Sequence, residues 1–240
     1  KNRFQGVFFH NVIRPKFEYT HDNVAYDINQ AATLSELAGI FRNSVTEQLK
    51  IEGRISTAFD GKLRTAFKTL NFKNLSAKFN DDYSGRIIGA VLSGRKDVDS
   101  IDIWWKTLNK EVESARKILQ SLPPIKNCKI LAPKNSRLIT DEMFLHLVNT
   151  VSDILVISGQ QEITAQGLAT AFEMVCSSAP QKTVDCYVDD EEFEKFVVEF
   201  AGQYDREGSF FAHIESGTLL YRSGIGRVAI LPTTSEWEIK

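Results

Sequence analysis

The sequence lacks the features that mark a membrane-spanning, disulfide-bonded or metal-binding protein. It has no stretch of about 20 apolar residues, the length needed to cross a bilayer as a helix. Its cysteines are few and widely spaced, so we expect buried thiols in a reducing compartment. The histidines have no cysteine or carboxylate at metal-ligand spacing, which predicts no metal and no cofactor. These residues are Cys128, Cys176, Cys186, His10, His21, His146 and His213.

Charge and length set further limits. The 240 residues carry a formal net charge of −2 and are 42% hydrophobic, enough for one large or two small domains with a core. That charge gives no overall attraction for nucleic acid or anionic lipid, so such binding must come from a local patch. The chain begins at Lys1 without an initiator methionine and without the pattern of a signal peptide. We therefore expect a cytoplasmic protein with no membrane partner, and a fragment of a longer chain.

The first half of the chain predicts an α/β unit over residues 1–133. A capping box at Thr33 starts one helix, and Pro123 ends another because proline lacks the amide donor. The predicted segments are strand Phe4–His10, strand Val24–Ile28, helix Thr33–Leu49, a basic helical segment 61–71, strands Ile87–Arg95 and Ile101–Trp105, helix Asn109–Leu122 and strand Cys128–Leu131.

The second half, residues 134–240, predicts a C-terminal α+β unit that either stands alone or packs on the first. The polar segment Ala132–Arg137 is the predicted boundary. Apolar spacing predicts a helix over Asp141–Ile157, with the following helix antiparallel to it. We find no internal repeat. The other predicted segments are helix Thr164–Cys176, strand Val184–Val188, helix Asp189–Tyr204 and strands Phe210–Ile214, Thr218–Tyr221 and Val228–Leu231.

The stretch from Asn80 to Pro124 contains the most specific pattern in the chain. A turn leads to a Gly-Ala-Val run with an arginine four residues later, then to an Ile-Trp strand end and a long helix closed by Leu-Pro-Pro. Its landmarks are Asp81, Asp82, Tyr83, Ser84, Gly89, Ala90, Val91, Arg95, Ile103, Trp104 and Leu122. This order resembles the central part of the eukaryotic translation initiation factor 4E family, the mRNA cap-binding proteins. The resemblance implies a curved antiparallel sheet backed by helices.

The resemblance also implies the residues of a cap site. Arg95 corresponds to the arginine that grips the cap phosphates, and Trp104 to a tryptophan near the methylated edge of the base. No tryptophan precedes Trp104, so the two rings that bracket the base in the family have no tryptophan counterparts here. Phe17, Tyr19 or His21, in a predicted loop, would supply the first ring, since any aromatic face stacks on a base.

Each of these residues also has an ordinary structural interpretation. A tryptophan on a strand is most often a core residue, and because Trp105 points to the other face, one of the pair is expected to be exposed or covered by a helix. An arginine such as Arg95 is more often a solvated charge or an ion-pair partner. The acids at Asp189–Glu192 fit a helix start, and Gly224–Gly226 fits a hairpin turn.

A run of basic and aromatic residues, hereafter the basic stripe, extends from Lys62 to Lys96. Phosphates need cations and bases need flat faces, so this pattern is typical of single-stranded RNA binding. The alternative is a solvated helix whose phenylalanines are core. We predict Arg64, Lys68 and Lys96 as RNA contacts. The members of the stripe are Lys62, Arg64, Lys68, Lys73, Lys78, Arg86, Arg95 and Lys96, with Phe67, Phe72, Phe79 and Tyr83.

Three functions remain open. The first is an RNA-binding protein that recognises a capped or phosphorylated 5′ end through Arg95, Trp104 and the basic stripe. The second is a protein-interaction or scaffold module that keeps such a core and has lost cap recognition. The third is a viral structural or nucleic-acid-packaging protein. No catalytic pattern singles out a nucleophile, so we predict no enzyme. RNA is the expected partner, and protein partners are also expected.

Overall fold

The computed structural model describes residues 3–11, 15–21, 24–28, 42, 44–53, 64, 67–79, 86–96, 98–108, 112–133, 136–159, 161–176, 182–201, 210–213, 218–223 and 226–232. The chain divides into two compact units, unit 1 over Lys1–Ile125 and unit 2 over Lys126–Lys240. The domain boundary expected between residues 133 and 134 stays a prediction.

Unit 1 combines a sheet with helices. Its described elements are β1 Arg3–Asn11, β2 Pro15–His21, β3 Val24–Ile28, β4 Val45–Gly53, β5 Asn71–Phe79, α1 Arg86–Leu92, β6 Ser100–Trp105 and α2 Val112–Gln120. The strand order in this unit is β3-β2-β1-β4-β5-β6. Neighbours among β1, β2 and β3 are antiparallel, whereas β1, β4, β5 and β6 run parallel. The strands predicted near β1, β3 and β6 are confirmed, and so is the middle of the helix predicted at α2.

One face of the unit 1 sheet is buried. Side chains alternate along a strand, so residues two apart share a face. The register aligns Leu49 with Leu75 and Ile101, and the next row contains Ile51, Ala77 and Ile103. All six side chains are at most 2% exposed. The parallel strands therefore stack apolar rows into the core of the unit.

The segment Arg86–Leu92 forms helix α1, where the sequence predicts a strand over Ile87–Arg95. Gly89 allows α1 to approach α2, because a Cβ at this position would lie 3.3 Å from Ile118 Cγ1. The strand prediction was wrong because a short apolar run fits a strand and a buried helix equally well. The buried residues of α1 have the spacing of one helical face and are Ile87, Ile88, Val91 and Leu92.

Two other predictions in unit 1 differ from the structure. Of the helix predicted over Thr33–Leu49, residues 45–49 belong to strand β4, and most of the rest lies outside the described residues. The loop predicted to present Phe17, Tyr19 and His21 is strand β2. Alternating aromatic residues fit a strand, and this period was the available signal.

The strands of unit 1 do not form the curved antiparallel sheet that the cap-binding resemblance implies. The predicted Asn80–Gly85 turn lies outside the described residues, and the strand expected after it is helix α1. Strands β4, β5 and β6 are parallel, whereas the resemblance implies antiparallel neighbours. The coarser prediction is confirmed, because unit 1 is mixed α/β with helices packed against a sheet.

Unit 2 has the same kinds of elements in a different chain order. Those described are β7 Ile125–Leu131, α3 Asp141–Thr150, β8 Val151–Ser158, α4 Ala165–Cys176, β9 Lys182–Val188, α5 Asp190–Phe196, a π-helical turn Val197–Ala201, β10 Phe210–His213, β11 Thr218–Ser223 and β12 Gly226–Pro232. The strand order in this unit is β7-β8-β9-β12-β11-β10. Strands β8, β9 and β12 are parallel, and β10, β11 and β12 form an antiparallel meander. This confirms the strands predicted near β7, β9, β10, β11 and β12 and the helix predicted at α4. Strands β11 and β12 are antiparallel neighbours, and most of the turn predicted at Gly224–Gly226 lies outside the described residues.

The helix predicted over Asp141–Ile157 is wrong in its second half. Helix α3 ends at Thr150, Val151 is extended, and the following residues form strand β8. The apolar spacing continues through Val151 and Leu155, so periodicity alone did not reveal the break. Helices α3 and α4 also begin side by side, since Asp141 accepts hydrogen bonds from Thr164 at the start of α4. They are therefore not the antiparallel pair that we predicted.

A repeat that the sequence analysis missed relates strands β4 to β9. In each strand two buried residues flank one outward residue, and the first buried residue recurs every 26 to 29 positions. These first residues are Leu49, Leu75, Ile101, Cys128, Leu155 and Val184. Within unit 1 and within unit 2, successive parallel strands are also neighbours in the sheet. The chemical identity of the repeated residues varies, so only their spacing and burial show the pattern.

The helices that the structure describes are short or amphipathic. Among them, no helix is long and apolar enough to cross a membrane.

Candidate functional site

The outward face of the unit 1 sheet is the candidate site. It consists of residues that alternate with the buried rows along β4, β5 and β6, and the register aligns them in three further rows. We call this set the outward face. Its rows are Gln48, Asn74 and Ser100; Lys50, Ser76 and Asp102; and Glu52, Lys78 and Trp104.

Charges of both signs lie together on the outward face. Lys50 Nζ is 3.5 Å from Glu52 Oε2, and Lys78 Nζ is 3.8 Å from Glu52 Oε1. With Asp102 included, two lysines balance two carboxylates. The outward face therefore has no excess of positive charge that would attract a phosphate backbone.

Trp104 is the large aromatic residue of the outward face. Its side chain is 39% exposed, whereas that of its neighbour Trp105 is 1% exposed and belongs to the core. Lys78 Nζ lies 3.9 Å from the centroid of a Trp104 ring, a cation–π contact. The expectation that one tryptophan of the pair is exposed is confirmed, and the interpretation of Trp104 as a core residue is wrong.

An open face is unusual for a parallel sheet. Crossover helices normally cover both faces, so parallel strands become apolar on both sides. Along β4, β5 and β6, the strands of unit 1 whose burial the structure describes, one face is apolar and buried, and on the other the side chains of Lys50 and Lys78 are 36% and 37% exposed. Mixed charge around an exposed tryptophan provides hydrogen bonds, ion pairs and apolar area for a macromolecular partner.

Arg95, the predicted phosphate ligand, has a structural role in unit 1. Its Nε donates to the Val91 carbonyl at 2.6 Å, and its Nη2 donates to the carbonyls of Phe67 at 2.8 Å and Leu70 at 2.5 Å. The guanidinium carbon lies 4.2 Å from the centroid of the Phe72 ring. These contacts join the end of α1 to the segment before β5. Arg95 Nε and Nη2, which the cap-site hypothesis would direct at a phosphate, therefore already have acceptors within unit 1.

The basic stripe is not one continuous basic and aromatic surface in the described residues. Phe67, Phe72 and Phe79 are at most 1% exposed and form part of the core. Lys73 pairs with a glutamate of β4 at 3.3 Å, and Lys78 lies on the outward face. The alternative interpretation of these phenylalanines as core residues is therefore confirmed.

The other predicted RNA contacts have no place in the strand row of Trp104. Lys68 and Lys96 are exposed and Arg64 is half-buried. The register aligns Phe17 with the row of Ile51, and it aligns Tyr19 with the row of Leu49. Both rows alternate with the row that contains Trp104. The structure thus brings none of the five residues into the Trp104 row, and their role in binding RNA stays a prediction.

The described cysteines and acids of unit 2 have structural surroundings. Burial, together with the nearby Asp185 charge, raises the pKa of the Cys186 thiol to about 12, so this thiol is a poor nucleophile. Asp189 Oδ1 accepts the Glu191 amide at 3.0 Å, as predicted for acids at a helix start. Within the described part of the chain, no group of three or more His, Cys, Asp or Glu residues could hold a metal ion.

Sequence reasoning missed most of the outward face. It selected Trp104 and included Lys78 in the basic stripe, but it did not identify Lys50, Glu52 or Asp102. The available signal was alternation, because each of these residues stands between two buried residues of its strand.

Comparison of the chain with protein-family models, with curated proteins and with solved structures finds no match. The site must therefore be interpreted from its own geometry.

Proposed function

We propose that the chain is a non-catalytic recognition module that binds a protein partner through the outward face of unit 1. The observation that supports this most is the exposed Trp104 on an open parallel sheet, flanked by balanced charges. Tryptophan is enriched among the residues that dominate protein–protein binding energy. Neighbouring lysine and carboxylate side chains give such an interface its polar contacts and its specificity.

The repeat of strands β4 to β9 supports the same proposal. Repeats of this kind with one strand in about 20 to 29 residues, such as leucine-rich repeats, line up parallel strands beside one another. They use the resulting extended surface to bind other macromolecules. The outward residues of β4, β5 and β6 occupy the corresponding positions of each repeat in unit 1.

RNA binding is the second candidate, and one contact favours it. Lys78 over the exposed ring of Trp104 combines a cation with an aromatic face, which is the pair that single-stranded nucleic acid uses. Glu52 and Asp102 weigh against this candidate because they balance the lysines of the outward face. The cap itself has less support, since Arg95 is committed to main-chain carbonyls.

Site-specific photo-crosslinking tests the proposal. A photoreactive phenylalanine analogue is placed at Trp104, and the control carries it at Glu113, an exposed residue of α2. We expect a protein to be crosslinked from position 104 and not from position 113, and then to bind wild-type protein when purified.

The same preparation distinguishes the RNA candidate. Fluorescence anisotropy with a short single-stranded RNA and quenching by a methylated cap dinucleotide, beside its unmethylated analogue, measure the two nucleic-acid hypotheses. Salt-sensitive RNA binding that is lost in Trp104→Ala, without a crosslinked protein, would replace the protein-binding proposal.

A further inference from the structure

Glu52 contacts both lysines of the outward face. One oxygen of its carboxylate, Oε2, is 3.5 Å from Lys50 Nζ, and the other, Oε1, is 3.8 Å from Lys78 Nζ. The side chain of Glu52 is 25% exposed, less than the side chains of the two lysines. A carboxylate that faces two ammonium groups forms a small network, and networks contribute more than isolated surface ion pairs. Glu52 therefore links the charges of this surface.

Glu52, Lys78 and Trp104 form one row across three neighbouring strands. The register aligns Glu52 of β4 with Lys78 of β5, and Lys78 with Trp104 of β6. Neighbouring strands are about 4.8 Å apart, so a lysine in the middle of such a row reaches the residue on either strand. Lys78 Nζ lies 3.9 Å from the centroid of a Trp104 ring and is attracted by the Glu52 carboxylate as well. The carboxylate thus contributes to holding the cation over the ring.

This row opposes the binding of single-stranded nucleic acid in two ways. A base that stacks on the ring face under Lys78 must displace the ammonium group from that face. A phosphate that approaches Lys50 or Lys78 also comes close to the Glu52 carboxylate, and the two negative charges repel each other. Repulsion of the wrong ligand is a common source of specificity. Glu52 therefore disfavours a polyanion on the outward face.

A protein partner can leave the same row intact. An ammonium group has three N–H donors, so a lysine that faces a carboxylate can also donate to a carbonyl oxygen of a partner. The side chains of Lys50 and Lys78 are 36% and 37% exposed, and that of Trp104 is 39% exposed and adds apolar area. The outward face is therefore better suited to an uncharged, hydrogen-bonding protein surface than to a phosphate backbone.

We propose that Glu52 is a positioning and specificity-determining residue of the outward face. It holds Lys78 over the Trp104 ring and excludes single-stranded nucleic acid, so that the face selects a protein. The inference rests on the proposed function for the choice of surface. Its two readouts, a lysine resonance and an RNA affinity, need no protein partner. A failed crosslink from position 104 would leave both readouts unchanged, so the two proposals can fail separately.

The first test follows the ε-methylene protons of Lys78 by NMR of the full chain with ¹³C-labelled lysine. Protons over an aromatic ring resonate upfield, so we expect an upfield signal that is absent from Lys78→Arg. Glu52→Gln removes the charge and Glu52→Asp shortens the side chain, and we expect both to move the signal toward that of an exposed lysine. No upfield signal in wild type, or one that is unchanged in both variants, would overturn the positioning role.

The second test is fluorescence anisotropy with a labelled single-stranded RNA over a series of salt concentrations. We expect Glu52→Gln to bind this RNA about threefold or more tightly than wild type, with a salt dependence steeper by about 0.7 in log–log slope for each lysine that gains a phosphate contact. Glu52→Asp keeps the negative charge and should bind like wild type. Glu52→Ala replaces Glu52→Gln if that variant does not fold. Equal RNA affinity in wild type and the uncharged variant would overturn the exclusion.

The matched control is Glu47→Gln on the same strand. Glu47 Oε1 is 3.3 Å from Lys73 Nζ, and the two side chains are 61% and 52% exposed. This variant changes the net charge of the protein by the same amount as Glu52→Gln, but it alters an ion pair that does not contact Trp104. We expect the wild-type Lys78 signal and an RNA affinity within about twofold of wild type. An equal gain of RNA affinity in Glu47→Gln and Glu52→Gln would refute the specificity role, because net charge alone would then explain the gain.

Discussion

In unit 1 a positively charged side chain binds the end of helix α1, whereas in unit 2 negatively charged side chains bind the start of helix α4. In unit 1 the Arg95 guanidinium donates to carbonyls at the end of α1 and in the segment before β5. In unit 2 the carboxylates of Asp141 and Glu192 accept the first amides of α4. Both arrangements satisfy the groups that a helix leaves unpaired and complement its dipole. The comparison shows that the repeat of strands β4 to β9 accepts either solution.

The outward sides of the two sheets differ as well. In unit 1 the large exposed residue is Trp104, surrounded by lysines and carboxylates. In unit 2 it is Ile154, which is 45% exposed and aligned with Thr183. A tryptophan with a cation over its ring offers more binding energy than an isolated aliphatic residue. For this reason we assign recognition through the sheet to unit 1.

Replacing the two adjacent tryptophans should give the largest contrast. Trp105→Ala removes a buried ring and should lower the free energy of unfolding by about 3 to 5 kcal/mol. Trp104→Ala removes an exposed ring and a cation–π contact and should cost less than about 1 kcal/mol. Urea unfolding followed by circular dichroism measures both. A comparable loss in the two variants would mean that the outward face is covered.

The Arg95 contacts of unit 1 should come next in magnitude. Arg95→Ala removes a charged donor from four main-chain carbonyls and should destabilise the protein by about 1.5 to 3 kcal/mol. Arg95→Lys should recover little, because an ammonium cannot span the same acceptors. Chemical denaturation measures the free energy of unfolding of both variants. The control is Lys96→Ala, at an exposed neighbouring position, for which we expect a change within about 0.5 kcal/mol. Wild-type stability in Arg95→Ala would refute this role.

In unit 2, Asp141→Ala should cost about 1 to 2 kcal/mol, since it removes the acceptor of the Thr164 amide and hydroxyl. Glu142→Ala, at the next and exposed position of α3, is the control. Thermal unfolding of the two variants under one buffer condition measures the difference. If Asp141→Ala and Glu142→Ala had the same stability, the hydrogen bonds between Asp141 and Thr164 would contribute nothing to it.

The smallest expected effect concerns pH. Hydrogen bonds from Lys195 and from the Ala165 amide hold the pKa of Glu192 below its ordinary value. Because the folded pKa is the lower one, this stabilisation is complete above the unfolded pKa and is lost as pH falls through the folded pKa. Glu192→Gln should therefore flatten the stability profile as pH falls below the ordinary glutamate pKa of 4.5. A profile identical to that of wild type would exclude the contribution.

Local patterns predicted strand segments better than their pairing. Alternation at Val24–Ile28 and at Ile101–Trp105 fixed two strands, because a half-buried strand has a period of two. The apolar run that begins at Ile87 has no polar residue to mark a period of two or of 3.6. Its helical conformation therefore became clear only from the structure, in which α1 packs on α2. Parallel neighbours depend on contacts between segments about 26 residues apart, and no short motif encodes them.

The candidate site was predictable only in part. Trp104 was selected through its resemblance to a cap-site tryptophan; its side chain is exposed, and its role in binding stays a prediction. Arg95 was selected in the same way, yet its guanidinium turns to carbonyls of its own unit. The side chain of an arginine reaches in several directions, so its partner depends on the tertiary fold. In unit 2, Gln161 gave no sequence signal, and Asp189–Glu192 was identified only as a helix start, because separate loops bring these residues together around a cavity.

The most direct test of the account is the affinity of the partner crosslinked from position 104, measured by isothermal titration calorimetry. We predict that Trp104→Ala weakens binding by about tenfold or more, whereas Glu113→Ala leaves it unchanged. Wild-type affinity in a folded Trp104→Ala protein would contradict recognition through the outward face of unit 1.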